Sequence, residues 1–300
     1  MRCRICGKKA VYKELGFCSE HFSAYFEKNV ADVLNKPIFK DKALLLAVSG
    51  GKDSSAMLYA VSKIISEERL DFRIKRIEAL YINLGIKDSS SYNENIVKQL
   101  SEKTRIKLNI LNLEELYNIS IDALSQKTGK ICSSCAVIKR YLLNKFAYEN
   151  GFDFVLMGHN LDDELFFAIH NLVNRNIEFL VRSSKILPKD EEKRLAGRVK
   201  PLYYLTEKES MLYCIINKIP FSDKGCPYAV KNLQMTEKSK QSVLFDSRNK
   251  KLSFIKSINK LKKFYPIKQE DNVKPCIKCG FPTTSEICKF CRIIEKAKEN

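Results

Sequence analysis

Short apolar segments alternate with helical segments through the middle of the chain, and no other sequence feature restricts the fold as strongly. The run ALLLAV at 43–48 predicts a buried strand. Further strands are predicted at 74–82, 106–111 and 153–157, and helices at 54–68, 92–103, 136–149 and from 162 onward. Strands and helices in this order predict an α/β fold with a parallel sheet and right-handed crossovers.

The remaining segments show weaker patterns. Helices are predicted at 207–217 and 241–263, and the charged stretch from Arg182 to Arg198 is predicted to be a mobile loop. No apolar run approaches the ~18 residues that a membrane span needs. The first residues also lack the apolar stretch of a signal peptide. We therefore expect a cytoplasmic protein without membrane contact.

Cysteine spacing predicts a metal site at each end of the chain. All of the eleven cysteines except Cys214 fall in patterned groups, and an intracellular chain rarely uses so many in disulfides. The two terminal groups have the spacing of zinc ligands: Cys3, Cys6, Cys18 and His21; Cys276, Cys279, Cys288 and Cys291. The alternative for the first group is a set of free thiols on a small helical hairpin. Either zinc ribbon could serve as a brace or could grip RNA.

Charge favours a polyanionic partner. The chain has 53 basic and 35 acidic residues, which gives a formal net charge of +18. A surplus of this size favours nucleic acid through phosphate contacts. The alternative is a lysine-rich composition that serves only solubility.

A glycine-containing turn follows the first predicted strand and precedes the first predicted helix. The turn runs from Ser49 to Ser54 and reads SGGKDS. Glycines at such a turn let backbone N–H groups approach phosphates at a helix N-terminus. Lys52 and the serine hydroxyls add donors, and Asp53 is a candidate to orient Mg²⁺ or a pyrophosphate. The spacing differs from the Walker A and dinucleotide motifs.

This turn resembles the PP-loop of the ATP pyrophosphatases, which cleave ATP between its α- and β-phosphates and adenylate a substrate. The resemblance implies an adenine contact at Ile82 and further contacts at the strand-end motif GHNLDDE, residues 158–164. The nucleotide-binding residues it implies are Ala47, Ser49, Gly50, Gly51, Lys52, Asp53, Ser54, Ile82, Lys139, Gly158 and Asp163.

Three cysteines in the middle of the chain form the remaining group. Cys132 and Cys135 begin a predicted helix, and Cys226 lies in the sequence CPY far downstream. The residues alone leave several possibilities: a local disulfide, buried thiols, half a zinc site, a catalytic disulfide or persulfide, or the ligands of an iron–sulfur cluster. Cys214 and His170 lie in predicted helices and are interpreted as packing residues.

The order of motifs over essentially the whole chain resembles the tRNA 2-thiouridine synthetases of the TtuA kind and their archaeal and eukaryotic wobble-uridine relatives. The order is zinc ribbon, PP-loop, CxxC, GHNxDDE, RVKPL, CPY and zinc ribbon. The resemblance implies a PP-loop (HUP, adenine nucleotide alpha hydrolase-like) core flanked by the ribbons. The units are then 1–28, 29–265 and 266–300. The cytidine-thiolating TtcA group has the PP-loop and cysteines but lacks the pair of ribbons.

The resemblance also implies a reaction and a set of partners. A uridine C2 oxygen in tRNA attacks the α-phosphate of Mg·ATP, and sulfur then displaces AMP. The implied [4Fe–4S] ligands are Cys132, Cys135 and Cys226, and the implied catalytic residues are these three with Lys52, Asp53 and Lys139. The target uridine can be in the anticodon wobble position or in the T-loop. The sulfur donor is sulfide or a thiocarboxylated ubiquitin-like protein, and a homodimer is expected.

Two rival hypotheses remain at this stage. A PP-loop amidating or lysine-adding ligase would need an amine site and would not need the three cysteines. A non-catalytic zinc-ribbon RNA-binding protein would keep its function after mutation of Asp53. The intact turn, with both Lys52 and Asp53 present, argues against the second hypothesis.

Overall fold

A six-stranded sheet forms the centre of the computed structural model, which describes residues 1–229, 244–265 and 273–298. Its strands are β1 Ala43–Val48, β2 Arg76–Asn83, β3 Leu108–Asn112, β4 Phe154–Met157, β5 Ile186–Leu187 and β6 Gly197–Val199. The strand order is β3-β2-β1-β4-β6-β5. Only β5 runs antiparallel to its neighbour, so the predicted parallel sheet is confirmed.

Eleven α-helices and a small terminal hairpin complete the described parts of the chain. The helices are α1 Ser19–Leu34, α2 Lys52–Ser66, α3 Ser89–Thr104, α4 Leu113–Tyr117, α5 Ile121–Lys127, α6 Ile131–Glu149, α7 Leu161–Val173, α8 Ile177–Arg182, α9 Glu207–Ile216, α10 Arg248–Leu261 and α11 Lys289–Lys298. The hairpin pairs β7 Lys274–Pro275 with β8 Pro282–Thr283. No helix of the described residues has both the length and the apolar character required to cross a bilayer.

Alternation along β1 divides the core between the two faces of the sheet. Leu44, Leu46 and Val48 join the core formed with α1, α2 and α9 on one face. Ala43 and Leu45 pack with residues of α6 on the other face. Successive side chains of a strand point to opposite faces, so a continuous apolar strand is buried on both. The helix with the nucleotide turn and the helix with the CxxC motif are therefore separated by the sheet.

The N-terminal cysteine segment is continuous with this core. Helix α1 begins directly after Cys18 and passes through residue 28, where the sequence placed a unit boundary. Phe22, Phe26 and Val30 of α1 are fully buried in the main core. Burial of this face ties the terminal segment to α2 and α9.

The stretch from Arg182 to Arg198 contradicts the predicted mobile loop, because it contributes β5, β6 and the end of α8. The charges are concentrated between the two strands, where Asp190 and Leu195 pair as a bridge. Gly197 lies so close to Phe154 that a Cβ atom would meet the ring at 2.4 Å. The strands thus follow from tertiary packing, which overrides the polar composition.

Of the predicted helix at 241–263, residues 248–261 form α10. Residues 241–243 lie outside the described residues, as do residues 266–272.

Candidate active site

The SGGKDS turn lies at the carboxyl end of β1 and leads into α2, as the sequence predicted. Gly50 has φ +80°, and a Cβ there would lie 3.1 Å from the Asn93 carbonyl oxygen. Within the turn, the Ser54 hydroxyl donates to the Gly51 carbonyl at 2.9 Å and accepts from the Ser49 N–H at 3.1 Å. These bonds hold the first turn of α2 with its N–H groups at the edge of the sheet, where a phosphate can bind.

Gly158 lies against this turn from the neighbouring strand. It follows β4, and a Cβ at this position would lie 3.0 Å from the Ser54 nitrogen and 3.1 Å from the Ser54 Cα. A side chain at this position would fit only if the backbone of the turn moved by a few tenths of an ångström. The motif that begins at Gly158 therefore meets the nucleotide turn directly.

An ion-pair network surrounds the start of α2. The Lys52 Nζ lies 2.6 Å from Glu207 Oε1 and 3.3 Å from Asp53 Oδ2. Asp53 Oδ1 accepts a hydrogen bond of 3.0 Å from the side-chain amide of Asn160. Asn160 also caps α7 in a capping box with Asp163. The network joins the N-terminal ends of α2, α7 and α9 at one point.

Burial and charge shift the pKa values in this network. Burial raises the pKa of Asp53 above its ordinary value, although the Lys52 charge opposes the shift, and the Asp163 carboxylate raises it further. Burial disfavours the charged form of Lys52, but the carboxylates of Asp53 and Glu207 together raise its pKa. Lys52 is therefore a firmly charged group at the phosphate-binding edge.

The other predicted nucleotide residues lie along the same edge. Ala47, next to last in β1, is level with Met157 of β4 and Leu80 of β2. Ile82 lies near the end of β2. Its partly buried side chain packs against the core on the side of the sheet that α6 covers. Strand order reverses between β1 and β4, and open α/β sheets bind ligands at such a reversal.

A short segment connects the nucleotide turn with the middle cysteines. The Ser222 N–H donates to the Gly50 carbonyl at 2.7 Å. Cys226 follows four residues later and so lies within about 14 Å of that contact. The Cys132 thiol then contacts the Tyr228 carbonyl oxygen at 3.7 Å. The Tyr228 hydroxyl donates a hydrogen bond of 2.6 Å to the Asp122 carboxylate. The segment carries Cys226 from the turn to the start of α6.

The three thiols are neighbours at the N-terminal end of α6, which begins at Ile131, before the predicted start at 136, and so includes both Cys132 and Cys135. Burial raises the pKa of the Cys135 thiol, the Lys139 charge lowers it, and Cys226 and Cys132 raise it again. Among the described residues, only the two terminal groups place all their ligand atoms within 4.8 Å of one another. Three thiols gathered at one helix start are a donor set that iron–sulfur clusters use.

The N-terminal group has the geometry of a tetrahedral ion site. Cys6 Sγ and Cys18 Sγ are 3.6 Å apart, and Cys18 Sγ lies 3.2 Å from His21 Nδ1. A tetrahedron with Zn–S bonds of about 2.3 Å separates its sulfurs by about 3.8 Å. Burial alone would raise the pKa of the Cys3 thiol, but nearby backbone N–H groups lower it to about 6. The donor set and spacing fit Zn²⁺.

The C-terminal group is similar and packs on α6. Cys279 Sγ and Cys288 Sγ are 3.7 Å apart, and the Cys288 N–H donates to Cys276 Sγ at 3.2 Å. Phe290 of α11 stacks on Tyr141 of α6 with ring centroids 3.6 Å apart. This group therefore also fits Zn²⁺, and it braces the helix that carries Cys132 and Cys135.

Sequence reasoning missed three contributors to the site. Glu207 pairs with Lys52 across 155 positions, and Ser222 pairs with Gly50. Asn160 was predicted only as part of the GHNLDDE motif, and its side-chain amide donates a hydrogen bond to Asp53. The Thr206-x-x-Glu209 pattern signals a helix start, but no local signal indicates that Glu207 meets Lys52.

Comparison with known proteins identifies relatives along the whole chain. Residues 22–225 match the family described as the PP-loop domain. The tRNA-5-methyluridine(54) 2-sulfurtransferase of Pyrococcus horikoshii is 34% identical over 307 residues, which cover 100% of this chain and 95% of that protein. The Cytoplasmic tRNA 2-thiolation protein 1 of Drosophila yakuba is 29% identical over 306 residues, with 97% and 86% covered.

One solved structure is similar over nearly its full length. It is the U34-tRNA thiolase NcsA from Methanococcus maripaludis with its [4Fe-4S] cluster. The TM-score is 0.81 and the identity 25%, and the match covers 98% of this chain and 96% of that one.

Proposed function

The chain belongs to the PP-loop family of tRNA 2-thiolation sulfurtransferases, and from this premise we propose how its own residues carry out the reaction. The motif resemblance found in the sequence is thereby confirmed. The observation that carries the proposal is the link through Ser222, which joins the phosphate-binding turn to the cysteine group. An ATP-activating turn and a group of thiols at one sheet edge fit a reaction that replaces oxygen by sulfur.

ATP binds across the point where the strand order reverses. The N–H groups at the start of α2 and the Lys52 ammonium hold the β- and γ-phosphates. Ile82 contacts the adenine, and Gly158 lets the nucleotide approach the sheet edge. Asp163 lies close enough to Asp53 that its charge raises the pKa of Asp53. Carboxylates beside phosphates are what Mg²⁺ uses, so these two are the proposed donors.

Adenylation makes the uridine oxygen a leaving group. The C2 oxygen of the uridine attacks the α-phosphorus, an O–P bond forms, and pyrophosphate leaves. Lys52 and the N–H groups stabilise the charge that develops on the leaving phosphates. A sulfur nucleophile then attacks C2 and AMP departs with the former uridine oxygen. The base must leave its stack, because C2 is inaccessible in a duplex.

The thiols of Cys132, Cys135 and Cys226 are the proposed holders of a [4Fe–4S] cluster. Three cysteine thiols that influence one another electrostatically at one helix start are a donor set that fits this group. When bound, such a cluster leaves one iron without a protein ligand, where sulfur can be held. Lys139, which affects Cys135 electrostatically, holds a phosphate beside it.

The proposal further includes one zinc ion at each terminal group and a homodimer in the cytoplasm. The proposed sulfur donor is sulfide or a thiocarboxylated ubiquitin-like protein. The donor atoms within 4.8 Å of one another support both zinc ions. The relatives are named for two different tRNA positions, 54 and 34, so the target uridine is left to experiment.

The test is anaerobic incubation of iron-reconstituted protein with tRNA, Mg·ATP and sulfide, followed by mass spectrometry of ribonuclease fragments. The wild type is expected to exchange one uridine oxygen for sulfur, and the fragment locates the position. Cys132→Ala is expected to lose both bound iron and thiolation. Ser133→Ala, an exposed neighbour in the same motif, is the matched control and should retain both. Thiolation and iron content unchanged in Cys132→Ala would overturn the cluster assignment.

A further inference from the structure

Two arginines lie close together on the α6 face of the sheet, and neither has an anionic partner among the described residues. Arg140 of α6 and Arg198 of β6 line the same small cavity together with Met157, at the carboxyl end of β4. Among the described residues, neither guanidinium is paired with a carboxylate. Like charges brought together without compensation are unfavourable unless a ligand supplies the opposite charge.

The fold fixes this pair of arginines. Arg198 is level with Val155 of β4, whose side chain packs on the α6 face. The buried Asn144 of α6 donates to the Arg194 carbonyl at 2.9 Å and accepts from the Ala196 N–H at 3.0 Å. These bonds attach α6 to the chain immediately before β6. Arg140 lies one turn before Asn144 on the same helix, so Arg198 is held opposite it.

Without a bound anion, the charged forms of Arg140 and Arg198 are electrostatically unfavourable in the folded protein. Burial lowers the pKa of Arg198, and the charge of Arg140 lowers it further. Burial also lowers the pKa of Arg140, although this residue is exposed enough to meet a ligand. A bound anion would relieve both effects.

The position separates this pair from the phosphate-binding N–H groups of the PP-loop. The PP-loop leads into α2 on the opposite face of the sheet, and β6 is two strands away from β1. Two strand spacings correspond to about 9.5 Å. The α6 face carries Cys135, near which the second substrate must meet the sulfur atom, and it also carries Lys139, the proposed phosphate contact.

We propose that Arg140 and Arg198 together bind a backbone phosphate of the tRNA next to the target uridine. Guanidinium groups match phosphate oxygens with paired N–H donors. A phosphate fixed here holds the strand while its base enters the sheet edge between the PP-loop and the cysteines. The inference rests on the proposed function, because it takes tRNA as the second substrate.

The test compares Arg198→Gln and Arg140→Gln with Arg73→Gln. Arg73 is an exposed arginine that precedes β2, at the amino-terminal ends of the strands. Affinity for tRNA is measured over a range of salt concentrations, and ATP affinity is measured without tRNA. Each site variant is expected to bind tRNA about ten-fold more weakly, as for loss of a charge-assisted contact. The slope of log K against log salt should fall by about 0.7–0.9. ATP affinity and the control should not change.

Arg198→Lys keeps the charge without the paired donors and should lie between wild type and Arg198→Gln. Melting temperatures of the Gln variants should not fall, which excludes misfolding as the cause of weak binding. Wild-type tRNA affinity in both Gln variants would overturn the proposal. So would a loss of ATP affinity with tRNA affinity intact, because the anion would then be a nucleotide phosphate.

Failure of the proposed function gives a different result. A wild-type protein that neither binds nor thiolates tRNA would overturn both inferences. A wild type that thiolates, with arginine variants that behave as Arg73→Gln does, would overturn only this one.

Discussion

At the scale of single residues, the nucleotide turn depends on a glycine outside it. The backbone of Gly158 lies so close to the first turn of α2 that a Cβ atom there would be 3.0 Å from the Ser54 nitrogen. Backbone atoms cannot rotate out of the way as the end of a side chain can. The turn and the GHNLDDE motif therefore have one fixed relative position, and the network through Asn160 and Asp53 depends on it.

Gly158→Ala should displace the start of α2 by a few tenths of an ångström. We expect KM for ATP to rise about ten-fold and stability to fall by about 1–3 kcal/mol, as in other overpacked sites. ATP titration and chemical denaturation measure the two effects. Gly129→Ala is the matched control, because a Cβ there meets nothing within 4 Å. Equal KM values in the two variants would contradict the argument.

Asp53 should show a conflict between stability and activity. Because its pKa is raised in the fold, the ionised form is less favourable there than in the unfolded chain. Its contribution to stability therefore declines as pH rises from the ordinary value near 3.8 to the raised one. Asp53→Asn should increase the free energy of unfolding at pH 7.5 more than at pH 4, while thiolation falls at least ~100-fold. A variant less stable than wild type at pH 7.5 would refute this sign.

At the scale of elements, the segment from Ser222 to Tyr228 couples the two chemical parts of the site. It contacts the nucleotide turn at one end and α5 and α6 at the other. Between these ends, Tyr92 of α3 contacts Asp223 at 3.3 Å, and the Lys224 ammonium lies 4.5 Å from the Tyr92 ring centroid. A displacement at either end is therefore transmitted to Cys226.

Tyr228→Phe removes the hydroxyl that donates to Asp122 at 2.6 Å and contacts Ser125 at 3.1 Å. Loss of a hydrogen bond to a charged group costs about 1.5–3 kcal/mol, so this end of the segment should loosen. Iron retained after anaerobic reconstitution and gel filtration is expected to fall. Tyr148→Phe on α6, far from the thiols along that helix, serves as the control. Full iron content in Tyr228→Phe would show that Cys226 is held by other contacts.

At the scale of the whole molecule, the two terminal metal groups have different structural roles. The first leads into α1, which is buried in the main core, and the second packs on the surface of α6. Wild type is expected to hold one Zn²⁺ per group, and Cys18→Ser and Cys288→Ser should each lose one. Metal analysis by mass spectrometry measures this directly.

The two variants should differ in hydrogen exchange. Cys18→Ser should reduce protection in α1, α2 and α9, because these helices share one core. Cys288→Ser should reduce it only in the C-terminal group and along α6. Small metal-held segments unfold when the metal is lost, whereas a large core remains folded. Loss of protection confined to residues 1–18 in Cys18→Ser would contradict the coupling.

The sequence by itself determined the features whose parts lie close together in the chain. Strand β1, the SGGKDS turn and α2 form one continuous unit, and the ligands of each terminal metal group lie within 19 residues of one another. Periodicity and spacing reveal such features because local geometry links neighbouring residues directly. The tertiary structure alone decided the contacts between distant positions. Glu207 meets Lys52, Ser222 meets Gly50, and Arg198 faces Arg140 only after the sheet has formed. The strands at 186–187 and 197–199 likewise exist because β4 offers an edge for pairing, which no local pattern encodes.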